Sequence, residues 1–107
     1  MRNNIIVSKM IAYIDKIFSY WKGLNYHSFS ENTLTVDACV FNLSQLGELT
    51  TKLDKDFTLM HTDVPWNEMR GLRNKIVHDY EGVNLKLVWE IVSEDLPELK
   101  GKLEKIK

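Results

Sequence analysis

Apolar residues recur along this chain at three- and four-residue steps and nowhere alternate with period two for long, so the pattern predicts helices and no sheet. Between Asn3 and Trp21, positions Ile6, Met10, Tyr13, Ile14, Ile17 and Trp21 form one stripe, widened by Ile5, Ile11 and Phe18. Gly23 and Asn25 interrupt it. Ser28-Phe29-Ser30-Glu31 has the spacing of a capping box, with Ser28 placed to accept from the third helical amide. A long second helix is predicted from there through Val36, Cys39, Val40, Leu43, Leu46, Leu49 and Leu53.

Asp54 to Val64 is polar and aperiodic and reads as a connecting loop, with Pro65 as an early residue of a third helix. On that helix Trp66, Met69, Leu72, Ile76, Val77 and Tyr80 share a stripe, and Gly82 ends it. A last helical pattern runs through Leu85, Val88, Ile91, Val92, Leu96, Leu99, Leu103 and Ile106, bent or interrupted around Pro97. Four helices with short connections imply an all-α fold, an antiparallel four-helix bundle forming a single domain over residues 1–107. Gly47, inside the second helix, costs about 1 kcal/mol relative to alanine, which points to close helix packing beside Glu48.

Composition narrows the class. Hydrophobic residues make up 44% and charged residues 27% of the 107, a globular balance. The residues after Met1 lack the continuous apolar run of a signal peptide or a transmembrane span, so a cytoplasmic protein with no membrane partner is expected. The lone Cys39 excludes an internal disulfide and falls at helical spacing with Val36, Val40 and Leu43, a core position rather than a nucleophile. Trp21, Trp66 and Trp89 lie on or beside apolar patterns and read as core or interface residues. A net charge of −1 excludes broad non-specific affinity for nucleic acid, so any RNA contact is local, at the cations Arg70, Arg73 and Lys75. His61 and Asp63, with His27, are a poor metal signature without cysteine partners or recurrent spacing, and neither metal nor cofactor is expected.

The candidate chemistry concentrates in Arg73-Asn74-Lys75-Ile76-Val77-His78-Asp79-Tyr80. Arginine offers a permanently charged fork suited to phosphate oxygens, histidine exchanges a proton at neutral pH, and together they suit phosphodiester cleavage without a metal. By spacing alone, the same residues describe an ordinary exposed helix with Tyr80 turned inward. Asn74 and His78 sit one turn apart, so the amide can orient the imidazole. Asp79 can pair with Lys75, as a plain surface ion pair would. Arg73 and His78 diverge by about 140° on an ideal helix, which leaves one copy with part of a site and calls for a second subunit or a fray near His78.

The helix order, Gly47-Glu48, Pro65-Trp66, the run Met69-Arg70-Gly71-Leu72-Arg73-Asn74-Lys75-Ile76-Val77-His78-Asp79-Tyr80 and the tail Val88-Trp89-Glu90-Ile91 resemble the HepT-like HEPN-domain toxins. The most specific part is Arg73 and His78 separated by four residues, followed at the second position by Tyr80. The resemblance covers almost the whole chain. It implies a homodimeric, metal-independent endoribonuclease toxin of a toxin-antitoxin system, with two copies of the motif facing each other across the interface. Arg73 and His78 would then be catalytic, supported by Asn74, Asp79 and Glu48, with Arg70 and Lys75 on RNA. It also implies a minimal nucleotidyltransferase antitoxin that AMPylates Tyr80. An alternative is a non-catalytic helical subunit that binds such a nucleotidyltransferase, with Arg73 and Tyr80 as interface anchors.

Overall fold

The computed structural model describes residues 2–76 and 84–106, with the backbone alone for Arg73. Its elements in chain order are α1 (Arg2–Trp21), α2 (Tyr26–Glu31), α3 (Thr33–Thr51), α4 (Lys55–Met60), α5 (Trp66–Arg70), α6 (Leu72–Ile76), α7 (Leu85–Glu90), a π-helical turn (Ile91–Asp95) and α8 (Leu96–Ile106). Among the described residues all regular structure is helical, as the periodicity predicts.

The first stripe folds as read except at Ile5, which is 55% exposed rather than part of the apolar face, and its end is set by Gly23, whose φ of +81° is open to glycine at little cost. The next boundaries differ from the expected ones. Asn25, extended at φ −105°, is the cap: its side chain accepts from the Ser28 N–H at 2.9 Å, while Ser28 Oγ accepts from the Asn25 N–H at 3.0 Å. The capping box thus lies three residues earlier than Ser28-Glu31, because Ser28 is already helical. Asn32 then makes a second break that the apolar period hides. Its N–H closes α2 on the Phe29 carbonyl at 3.0 Å, and its side chain accepts from the Thr35 N–H at 3.1 Å to open α3.

Asp54 to Val64 is not all loop, since α4 occupies Lys55–Met60. Asp54 does not cap it with its side chain. That carboxylate instead takes Arg2 Nη1 at 3.0 Å and Asn3 Nδ2 at 3.2 Å, which joins the start of α1 to the end of α3, two helices that pack antiparallel through the core. On the other flank of α1, Lys100 Nζ reaches Asp15 at 2.7 Å, and this hydrogen bond holds the ammonium above the usual lysine range. Pro97 borders Phe18 and Trp21, so α8 also runs antiparallel to α1.

The interruption expected at Pro97 falls just upstream. Proline lacks an N–H and its ring crowds the carbonyl four residues back. The chain widens before it into a π turn, where the Leu96 N–H donates to the Ile91 carbonyl and Ser93 Oγ donates to the Trp89 carbonyl at 2.6 Å. α7 and α8 therefore read as one rod with a bulge, rather than two separated helices.

The core is built from Ile6, Val7, Met10, Ile14 and Ile17 of α1 against α3, with Val88, Val92, Leu96 and Leu103 closing the side formed by the last rod. Phe29 and Trp89 meet at 5.1 Å and Trp21 and Trp89 at 5.2 Å, an aromatic group beneath α2. Cys39 is wholly buried, and desolvation pushes its thiol up to about 12 from an ordinary 9.0. It is a core residue with no access to a substrate.

Two measurements check this architecture. Asn32→Ala should cost about 1 kcal/mol, lowering the thermal midpoint by roughly 4–8 °C for a domain of this size; an unchanged melt would contradict the double cap. Cys39 should resist a thiol reagent at pH 8 in the folded chain and react fully once the chain is denatured. Because the folded thiol stays protonated where the unfolded one ionises, stability contributed by its burial should fall as pH rises between 9.0 and about 12.

Candidate functional site

α5 and α6 carry the described half of the motif, and their placement follows from the residues that anchor them. Trp66 Nε1 donates to the His61 carbonyl at 2.9 Å, tying the start of α5 to the end of α4. Trp66, Met69, Leu72 and Ile76 are all buried, so this part of the expected stripe does face the core. The helix expected to run unbroken from Pro65 is divided at Gly71. Its N–H returns to the Asn67 and Met69 carbonyls to finish α5, and its carbonyl accepts from the Lys75 N–H at 2.9 Å to begin α6.

Below this joint the chain packs unusually close. A Cβ added to Gly47 would stand 2.8 Å from the Met69 carbonyl oxygen and 3.6 Å from that of Arg70. Here α3 and the α5–α6 joint touch backbone to backbone, which is the reason for the glycine that the propensity cost hinted at. Glu48, next to it, is exposed; its carbonyl accepts from Thr51 Oγ1 at 2.7 Å.

The backbone of Arg73 lies in α6, and Asn74 and Lys75 beside it are exposed. Lys75 lines a groove between α5–α6 and the last rod, with Ile91, Asp95, Leu99 and Lys102. Arg70 is exposed as well, but it lines a separate crevice beside α4 and its Nη1 donates to Asn67 Oδ1 at 2.7 Å. The structure thus keeps Arg70 and Lys75 within one short stretch of chain while opening them onto two adjoining grooves that share Pro65 and Glu68.

His78, Asp79 and Tyr80 lie outside the described residues, as do Val77 and Gly82. The chain on either side of them is defined. The Asn84 N–H donates to the Ile76 carbonyl at 3.3 Å, so the end of α6 and the start of α7 stand side by side, and Asn84 caps α7 by accepting from the Leu87 N–H at 3.1 Å.

The remaining histidines have partners that account for them. His27 Nε2 is 3.3 Å from Glu31 on an exposed face, and the His61 ring rests against Phe57 at 4.7 Å. Asp63 is exposed. Among the described residues no three histidine, cysteine or acidic side chains gather around a common point, and no helix is long and apolar enough to cross a membrane.

Comparison with known proteins adds to this geometry. Residues 10–106 match the model of the family described as ribonuclease HepT-like. A candidate RNase of Caldanaerobacter subterraneus subsp. tengcongensis is 35% identical over 85 residues, covering 79% of this chain and 76% of that protein. A candidate ribonuclease HepT of Thermococcus cleftensis is 34% identical over 94 residues, 88% of this chain and 86% of its own. A candidate RNase of Methanocaldococcus jannaschii is 33% identical over 97 residues, with 91% and 84% covered. No solved structure gives a significant match.

Proposed function

Since the chain belongs to the HepT-like ribonuclease family, we propose that it is a metal-independent endoribonuclease toxin whose site is built from Arg73 and His78. The observation that carries this reading is the family match itself, which spans the whole stretch from Arg73 to Tyr80 and the described helices from Met10 of α1 onward. A ribose 2′-hydroxyl attacks the neighbouring phosphorus and the 5′-oxygen leaves, which gives a cyclic phosphate and a new 5′-hydroxyl. His78 moves the proton, and Arg73 balances the charge that builds on the phosphorane. Asn74 orients His78 or meets phosphate, Asp79 tunes the site, and Lys75 and Arg70 draw RNA toward it. Glu48 is a supporting group at the joint of α3 with the motif helix.

The proposal includes a homodimer of single-domain, HEPN-like four-helix bundles with the two motifs facing each other, so that two His78 side chains divide the acid and base roles. The outer face of α3 supports a second copy. Leu34 and Phe41, 84% and 60% exposed, lie two turns apart on one side of α3, and two large apolar side chains open to solvent there favour cover by a second copy. The partner in the cell is a minimal nucleotidyltransferase antitoxin that adds AMP to Tyr80. Added there, AMP places an anionic phosphate and bulk beside Arg73, where it competes with RNA.

Expression of the wild-type chain should arrest growth and produce discrete new RNA ends, both lost in His78→Ala and Arg73→Ala, with turnover lower by at least about a hundredfold. Intact RNA and growth from a folded dimer that still binds the nucleotidyltransferase tightly would instead support the non-catalytic subunit. Incubation with that enzyme and ATP should raise the mass in steps of AMP. A gain that survives Tyr80→Phe, or no gain at all, would remove Tyr80 as the acceptor.

A further inference from the structure

The α3 helix and the helix pair that carries Arg73 meet at one place without any side chain between them. The point of contact on α3 is Gly47, and what it meets is the Met69 carbonyl, 2.8 Å from where a Cβ would stand, with the Arg70 carbonyl at 3.6 Å. Both carbonyls belong to the last turn of α5, directly before the Gly71 break and three to four residues before Arg73.

We infer that Gly47 is a positioning residue for the ribonuclease site, holding the α5–α6 joint, and with it Arg73, at its working distance from α3. This rests on the ribonuclease reading above. The segment has little freedom to recoil from a larger residue. Met69 and Trp66 are buried, and Trp66 Nε1 is tied to the His61 carbonyl at 2.9 Å. On the other side, Leu43, Leu46 and Thr50 hold α3 in the core around the glycine. A Cβ at position 47 must therefore displace backbone rather than the end of a flexible side chain, by about half an ångström before an ordinary van der Waals distance is restored. A catalytic group tolerates roughly that much displacement and no more.

The effect separates from simple destabilisation, because alanine favours a helix interior over glycine and so opposes the cost of the clash. Gly101 in α8 is the matched control: a Cβ there meets nothing within 4 Å. Neither residue offers a group to RNA.

The experiment compares full-length wild type, Gly47→Ala and Gly101→Ala by amide NMR and by steady-state cleavage of the RNA cut by the wild type. In Gly47→Ala the amide resonances of Met69 through Lys75 should move and kcat should fall about tenfold, with KM within twofold; Gly101→Ala should alter neither. Unmoved resonances in that segment, or a kcat within twofold of wild type, would overturn the inference. A Gly47→Ala chain that does not fold would overturn it too, since the glycine would then serve the fold and not the site. Absence of any His78-dependent cleavage by the wild type would sink the ribonuclease reading by itself. The amide shifts would then still decide whether Gly47 places the segment.

Discussion

At Gly47 the backbone of α3 meets the backbone of the α5–α6 joint, and the arrangement of the motif-bearing helices depends on that contact. Ordinary helix pairs are held apart by interdigitating side chains and sit 8–10 Å apart, with slack that rotamer changes can absorb. A contact without side chains has no such slack. It transmits the position of α3 to the motif helix directly, and α3 is itself fixed by antiparallel packing on α1 and by the Arg2–Asp54 pair at their shared end.

The remaining architecture serves to keep that contact in place from both directions. Trp66 holds the start of α5 against the end of α4, and Leu72 and Ile76 bury the inner face of α6. The hydrogen bond from Asn84 to Ile76 then returns the chain beside the point where α6 ends, from which the last rod crosses back over α1. The π turn ahead of Pro97 lets that rod continue without leaving the core, so Val92 within the turn and Leu96 just after it are both buried. The described part of the motif, from Arg73 to Ile76, thus lies on a short helix anchored by Leu72 and Ile76, while Asn74 and Lys75 are left at the surface.

Much of this fold was legible in the chain, and the failures have definite causes. α1 was readable because its stripe is continuous and Gly23 ends it. The start of α2 was displaced because Asn25 and Ser28 are both good capping residues, and only backbone conformation distinguishes a cap from a third helical position. Asn32 was invisible because the apolar period runs across it from Phe29 to Val36. α4 was missed because it is too short to show a stripe and its preceding acid is engaged with Arg2 and Asn3, far away in sequence. Among the candidate site residues, Arg70, Asn74 and Lys75 are readable as exposed positions beside the buried Met69, Leu72 and Ile76. That Arg70 and Lys75 diverge follows from their five-residue spacing, about 140° on an ideal helix; which elements stand opposite each of them does not, because α4 and the last rod come from distant parts of the chain.

The sequence by itself determined the helical class, most of the inward faces of the described helices and the burial of Cys39, because each of these depends on residue type and on periodicity along one stretch of chain. The tertiary structure alone decided where Asn32 divides two helices, which elements stand opposite Arg70 and Lys75, and what stands against Gly47. Those depend on groups many residues apart in sequence, brought together by burial of a shared core, and no local pattern records which distant backbone a missing side chain makes room for.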